Sequence, residues 1–413
     1  IEKGEEIIFS AGDILVETSN LSSEFDLEIY KRTPRSSFYN CLKNSSHQFK
    51  YRPGKDDHYL LAGYPWFKVR ARDQFIALPG CSLAVGKVED YEKIMDTAIP
   101  HLQNFMNDKP SKSFIKQIED PDVLLWVVWA LQQYWLEQKE SFILKYSNFL
   151  FEIMDYLLAG KHPNLVYHQE DGLLTTYGRE IAVSWMNAML NGRPVIPRSG
   201  YLVEFNALWY NALKFSEEIA RATGAEAEAE VWENKARLAG NSFKEIFLNE
   251  AGYLYDYVDD YHKDLNVRPN MIFAVSLPYS PLERGQKKSV IDYVTKELLT
   301  PCGIRSLTPK SDLFHPHYAG NEAEKKMTYF NGMAFPWLLG PYIEAYLSLF
   351  HLSGLSLADR IMITMEGEMQ NDCIGSISEF YDSNPPFIAH GGYSFAMSVA
   401  ELLRAQRIIR SFT

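Results

Sequence analysis

Helical periodicity of two opposite kinds alternates along this chain, and that alternation restricts the fold more than any other feature. One kind is apolar on nearly every face. The nine residues from Val123 to Leu131 include no polar side chain, and residues 333–350 are almost as apolar. A helix without a polar face has to be covered all round. The other kind is amphipathic and densely charged, with Glu226, Glu228, Glu230, Glu233, Lys235 and Arg237 in one stretch. Such a helix belongs on an outer surface. Covered and exposed helices in alternation are what an all-α double ring of six inner and six outer helices, an (α/α)6 barrel, produces. A helical solenoid gives the same alternation but carries a repeat of roughly 30–50 residues, and none is found.

The spacing predicts twelve helices, over residues 36–49, 74–85, 91–107, 121–138, 140–158, 202–222, 225–248, 269–277, 282–298, 332–350, 356–369 and 393–409. Residues 2–19 read as extended, around Ile7, Ile8 and Phe9 and then Ile14, Leu15 and Val16. The expected division is therefore an extended segment over 1–20 and one helical domain over 21–413.

Composition narrows the partners. At 413 residues, 46% apolar and 23% charged, the chain can bury a core of that size. The longest apolar run, nine residues, is too short to cross a bilayer. A net charge of −12 argues against nucleic acid or an anionic membrane as partner and suits a neutral sugar polymer. Cys41, Cys81, Cys302 and Cys373 are far apart and form no C-x-x-C pair, so neither a zinc site nor a disulfide framework is expected. They read as small buried side chains in a reducing compartment, the cytoplasm. No cofactor is called for, and the oligomeric state is not legible.

Four long loops, rich in Gly, Pro, Trp and Tyr, interrupt the helices, and loops of this length are usually functional. The first carries Ala62-Gly63-Tyr64-Pro65-Trp66-Phe67 and then Arg72-Asp73 at a helix start. Taken alone, Asp73 reads more readily as a helix cap. The second runs through Asp171 to Ser184-Trp185-Met186-Asn187 and Pro197-Arg198-Ser199-Gly200, and enters Val203-Glu204-Phe205-Asn206. A Glu and two Asn on a Trp- and Tyr-rich helix start are costly to bury without partners, so they are expected to face a cleft. The third is Tyr329-Phe330-Asn331-Gly332 with Phe335-Pro336-Trp337, and the fourth is Gly375-Ser376-Ile377-Ser378-Glu379-Phe380.

Hydrolysing a glycosidic bond takes one carboxylic acid to protonate the leaving oxygen and one carboxylate to activate water or attack. Glu379 is the candidate base, although a lone Glu in a loop is more often a solvated surface group. The same stretches, with Arg268-Pro269-Asn270, residues 336–346 and residues 398–404, follow the order seen in a known family. Over residues 36–405 the sequence resembles the amylo-α-1,6-glucosidase domain of glycogen-debranching enzymes. That resemblance implies a glucoamylase-like (α/α)6 barrel, a six-hairpin toroid, often preceded by a β-rich domain whose tail would be residues 1–20. It implies an α-glucan substrate cleaved with inversion, Glu379 as general base, and Arg72 and Asp73 at the sugar subsite.

The chain departs from the family's pattern at the acid. Where the family has Trp-Met-Asp, this sequence has Trp185-Met186-Asn187, and a carboxamide does not donate a proton as a carboxylic acid does. Glu204 or Asp171 would then have to supply it. Lys68, Arg70 and Ala71 replace Gly, Trp and Gly in the first motif; Phe330, Met271, Phe395 and Met397 stand where His, Gln, Gln and Trp are usual. Tyr64, Trp66, Trp185, Arg268, Asn270 and Trp337 are the further candidates for substrate contact. Two readings follow: a working debranching glycosidase, and an impaired relative that binds oligosaccharide. A prenyl-cyclase-like helical barrel would need Asp-Asp-x-x-Asp, which neither Asp56-Asp57 nor Asp259-Asp260 begins.

Overall fold

A computed structural model gives the structure of residues 5, 7–10, 16–372 and 375–412. Ile14, Leu15 and Cys373 lie outside the described residues. The α-helices among these are α1 (Leu21–Lys31), α2 (Phe38–Gln48), α3 (Ala71–Cys81), α4 (Val88–Met106), α5 (Val123–Trp135), α6 (Lys139–Lys145), α7 (Ser147–Leu158), α8 (Val203–Ala222), α9 (Glu226–Phe247), α10 (Phe273–Ser276), α11 (Arg284–Glu297), α12 (Glu322–Tyr329), α13 (Leu339–Phe350), α14 (Leu355–Glu368) and α15 (Ala396–Ser411). The protein is predominantly helical, an all-α chain.

Helix packing follows the two kinds of periodicity. Helix α3 packs on α5, α5 on α8, α8 on α10, α10 on α13, α13 on α15, and α15 back on α3, so six helices close a cycle of contacts. All of α3 is buried, and α5 is buried from Val123 through Gln132. Helices α2, α4, α7, α9, α11 and α14 each pack on one or two members of that cycle. In α9 the buried residues Ala229, Trp232, Ala236, Ala239, Gly240, Phe243 and Phe247 form one stripe, as an amphipathic helix requires. The contact between α3 and α15 is close at Gly80, where a Cβ would stand 2.0 Å from the Ala400 carbonyl oxygen. Only glycine admits that approach.

Four expected helices are subdivided, the first being residues 74–85, where α3 ends at Cys81 and a 3-10 turn follows over Leu83–Val85. Residues 140–158 form α6 and α7, separated at Tyr146. Residues 269–277 form a 3-10 turn, Pro269–Ile272, followed by the single turn of α10. Helix α13 begins only after the 3-10 turn Pro336–Leu338. Two helices, α1 and α12, were not expected. None of residues 21–30 in α1 is buried, so its apolar pattern marks no core-facing side. Helix α12 starts at a capping box between Asn321 and Glu324, a legible signal.

A small antiparallel sheet was also not expected. It joins Leu299–Thr300, Gly303–Arg305, Ala334–Phe335, Phe380–Tyr381 and Ala389–His390 in that order. Alternation becomes readable over about four to eight residues, and these strands have two or three. The sheet ties the loops preceding α13 and α15 together. No helix among the described residues is long and apolar enough to cross a membrane. Cys41, Cys81 and Cys302 are free thiols.

Candidate active site

The first turn of α3, the start of α15, the loop before α8, the end of α12 and the small sheet meet around one cavity of about 40 Å³. Its polar lining is Arg70, Arg72, Asp73, Asn187, Tyr329 and Glu379. Trp185, Phe330, Phe335, Trp337, Phe395 and Met397 form the apolar lining. Arg72, Asp73, Trp185, Asn187, Trp337 and Glu379, drawn from four separate stretches of the chain, are thereby brought together.

Glu379 is 6% exposed, and both of its carboxylate oxygens are held. The Tyr329 hydroxyl donates to Oε1, and the Gly392 N–H donates to Oε2 at 2.9 Å. At Gly391, with φ +75°, a Cβ would lie 2.3 Å from that Oε2, so glycine is required where the chain passes the carboxylate. Burial pushes the Glu379 carboxyl above the usual carboxylate range. The two donors and Arg70 oppose the rise, while Asp73 adds to it. Above its raised pKa such a carboxylate is a stronger base than a solvated Glu. Tyr329 itself is pushed well above the usual phenol range, by burial first and then by the Glu379 charge.

The two arginines of the first motif are placed differently. Arg72 is fixed: Nε donates to Asp122 Oδ2, and Nη2 donates to Asp122 Oδ1 and Asp120 Oδ2, each at 2.7 Å. Burial pushes Asp120 up to about 6 even though Arg72 opposes it. Only Nη1 of Arg72 is left for a ligand. Arg70 is half-buried, and its guanidinium lies 4.3 Å above the Phe67 ring. Asp73 sits in the first turn of α3, where the helix dipole favours an anion. Its carboxylate caps nothing and faces the cavity.

The aromatic wall is held from behind by a buried ionic cluster. Trp185 meets Phe330, Phe335 and Trp337 edge-on, with centroids 5.3, 5.1 and 5.3 Å away. Its Nε1 donates to Asn270 Oδ1 at 2.7 Å, and Asn270 Nδ2 donates to Asp256 Oδ1 at 2.7 Å. Asp256 accepts from Arg198 Nε at 2.6 Å, and Arg198 forks onto both oxygens of Glu204. Glu204 is therefore not at the cavity. It is 1% exposed, and its acceptor sites are turned to Arg198. Asp171 is absent from the lining too, accepting from the Tyr201 hydroxyl at 2.6 Å.

Four more candidates stand outside the lining. Asn270 orients Trp185, as described. Arg268 donates to the Ser306 and Phe330 carbonyls at 3.1 and 2.9 Å and to Asn331 Oδ1 at 3.1 Å, so it shapes the turn that presents Phe330. Tyr64 is partly exposed, with its hydroxyl donating to the Gln48 carbonyl at 2.5 Å. Trp66, 57% exposed, reaches the cavity only through Phe67 and Phe395. Sequence reasoning missed Tyr329 and Phe335 as lining residues although both lie inside the third motif. Phe330, Phe395, Met397 and Arg70 were visible as departures, and Asp256 carried no signal. No group of His, Cys, Asp or Glu suited to a metal ion occurs among the described residues.

Among solved structures the chain is similar to the GH63 mannosylglycerate hydrolase from Thermus thermophilus, in complex with Tris. The TM-score is 0.60 at 13% identity, covering 89% of this chain and 99% of that one. At that identity the likeness is one of fold. No curated protein matches the chain. The family model for amylo-alpha-1,6-glucosidase matches residues 43–404, a span that takes in every residue lining the cavity. On the strength of that match, the chain belongs to the amylo-alpha-1,6-glucosidase family.

Proposed function

We propose that the cavity is the sugar subsite of a glycoside hydrolase acting on α-glucan branch linkages, with inversion and with Glu379 as general base. In this reading the closed helix cycle is an (α/α)6 barrel, and the cavity lies at its mouth. Glu379 takes a proton from the water that attacks the anomeric carbon. The leaving oxygen needs a proton from the opposite side, and the family's donor position is occupied by Asn187. The observation that carries the reading is that Glu379, Asn187 and Asp73 line one cavity. Asp73 is the other carboxyl group in that lining, so it, rather than Glu204, is the acid candidate already present.

A second reading, an oligosaccharide-binding relative with little or no turnover, is favoured by Asn187. The experiment that separates the two is release of glucose from a branched limit dextrin by wild type and by Asn187→Asp. Slow wild-type release and a gain of about 10²-fold or more in Asn187→Asp are expected. The near-isosteric Asp would be kept protonated by burial and by Glu379. Fast wild-type release that survives Glu379→Gln would overturn the assignment of the base. Absence of any heat with millimolar isomaltose and maltotriose would remove the sugar subsite altogether.

A further inference from the structure

We propose that the preferred ligand of this cavity is a glycoside bearing an anionic group, a carboxylate or a phosphate ester, and that the Arg70 guanidinium receives it. This rests on the reading of the cavity as a sugar subsite and names the class of sugar.

The argument begins with how this molecule treats its other inward-facing guanidinium groups. Arg72 is matched by Asp120 and Asp122, Arg198 by Glu204 and Asp256, and Arg404 by Glu401 and Glu344. Arg305, half-buried, donates to the Ser383 carbonyl and Asn384 Oδ1, and Arg268 to the Ser306 and Phe330 carbonyls and Asn331 Oδ1. Arg70 lines the cavity and has no such partner: among the described residues it forms no ion pair and no side-chain hydrogen bond, and its charge acts on Glu379 only from beyond ion-pair distance. A partly desolvated cation left without an acceptor is costly, and the cost is recovered when a ligand supplies one.

Arg70 is also held in place for that purpose. Its guanidinium lies over Phe67, and Phe67 is fixed edge-on by Phe395, 5.6 Å away, and by Trp66, 6.0 Å away. Stacking on a ring occupies the face of a guanidinium and leaves its in-plane N–H fork free. That fork matches the two oxygens of a carboxylate or phosphate. The remaining charges say where the anion sits. Asp73 and Glu379 line the same cavity and would repel a second anion, and Arg72 is already neutralised by its two aspartates. The anion therefore belongs at the Arg70 end, beside Phe67, with the neutral part of the sugar directed toward Glu379. Arg70 stands where the resembled family's motif has a tryptophan, so the difference is one of charge and not only of shape.

The test is calorimetry on the whole chain with matched ligands: maltose, maltose 1-phosphate and a disaccharide ending in glucuronate, with inorganic phosphate as a further probe. The expected result is that at least one anionic disaccharide binds about tenfold or more tightly than maltose, weakening as salt is added. Arg70→Gln should bring its affinity down to that of maltose, and Arg70→Lys should fall between. The phosphate and glucuronate arms identify which anion is read, and inorganic phosphate alone should bind far more weakly than the sugar phosphate. Maltose binding as tightly as both anionic ligands, or an anionic preference that survives Arg70→Gln, overturns the proposal and leaves the sugar subsite standing. If none of the disaccharides binds, the subsite reading falls and this inference with it.

Discussion

Glu379 and Glu204 look alike in the sequence, each at a loop-to-element junction in a Ser- and Gly-containing segment, and both are buried, at 6% and 1% exposure. What surrounds them differs. Glu204 receives a forked guanidinium from Arg198, which is matched in turn by Asp256. Burial alone would lower the Arg198 pKa, and Asp256 and Glu204 together more than reverse that. The cluster is closed by hydrogen bonds among its own members and faces no cavity. Glu379 receives only neutral donors, from Tyr329 and Gly392, and it opens on a cavity shared with Asp73. Burial of a carboxylate is thus no sign of function by itself. An incompletely matched charge facing open volume is the sign, since that charge can still change state during a reaction.

The contrast is tested most severely by Glu204→Gln. Removing one partner of a buried, hydrogen-bonded pair costs about 3–5 kcal/mol, and urea unfolding should show a loss of that size. Because Asp256 also holds Asn270 and hence Trp185, sugar binding should weaken in parallel. A loss below about 1 kcal/mol, the usual value of a surface pair, would mean that Glu204 is not the matched charge described.

A smaller effect is expected from Tyr329→Phe. It removes a donor that favours the Glu379 anion, so the carboxyl pKa, already raised by burial, should rise further. A base works only when deprotonated, so the acid limb of hydrolysis in the Asn187→Asp background should move to higher pH while circular dichroism stays unchanged. An acid limb left where it was would remove Tyr329 from the site.

The smallest effect on the fold should come from Glu379→Gln, which removes the proposed base but should stabilise the fold at neutral pH. A carboxyl whose folded pKa is raised contributes stability present below its ordinary range and lost as pH rises through the folded value. Above that value the wild type bears a buried anion that Gln replaces with a neutral group, and the Tyr329 hydroxyl can turn to accept from the amide. The gain in melting temperature should therefore appear near pH 7 and vanish as pH falls below the usual Glu range. A melting temperature lowered at pH 7, as expected for Glu204→Gln, would erase the distinction between the two sites.

Much of the fold was legible because helical periodicity is written locally. The apolar run at Val123 and the charged stripe of α9 told covered from exposed helices before any contact was known. The short strands escaped because two residues carry no alternation, and these strands bring the Phe335 and Phe380 rings to 5.7 Å of each other. Among the aromatic residues, Trp185 and Trp66 looked equivalent, each in a Gly- or Pro-rich loop. One ring is pinned by Asn270 into the cavity wall, and the other is 57% exposed. Nothing in either residue's immediate sequence records that difference.

By itself the sequence determined most of the helical segments, the most deeply buried of them, and which loops hold the polar residues that a glycosidase chemistry requires. It also exposed the exchange at Asn187, because a missing carboxyl group is a property of a single position. Tertiary structure decided which glutamate faces the cavity and which is locked in an ion cluster. It also decided that Asp73 shares the cavity and that Arg70 is left unmatched there. The physical reason is the range of the interactions. Periodic burial is set by neighbours within a turn or two of helix, whereas the partners that neutralise or orient a charge arrive from elsewhere: Asp122 is 50 residues from Arg72, and Tyr329 is 50 residues from Glu379. Only the packing of the helices against one another brings them within reach.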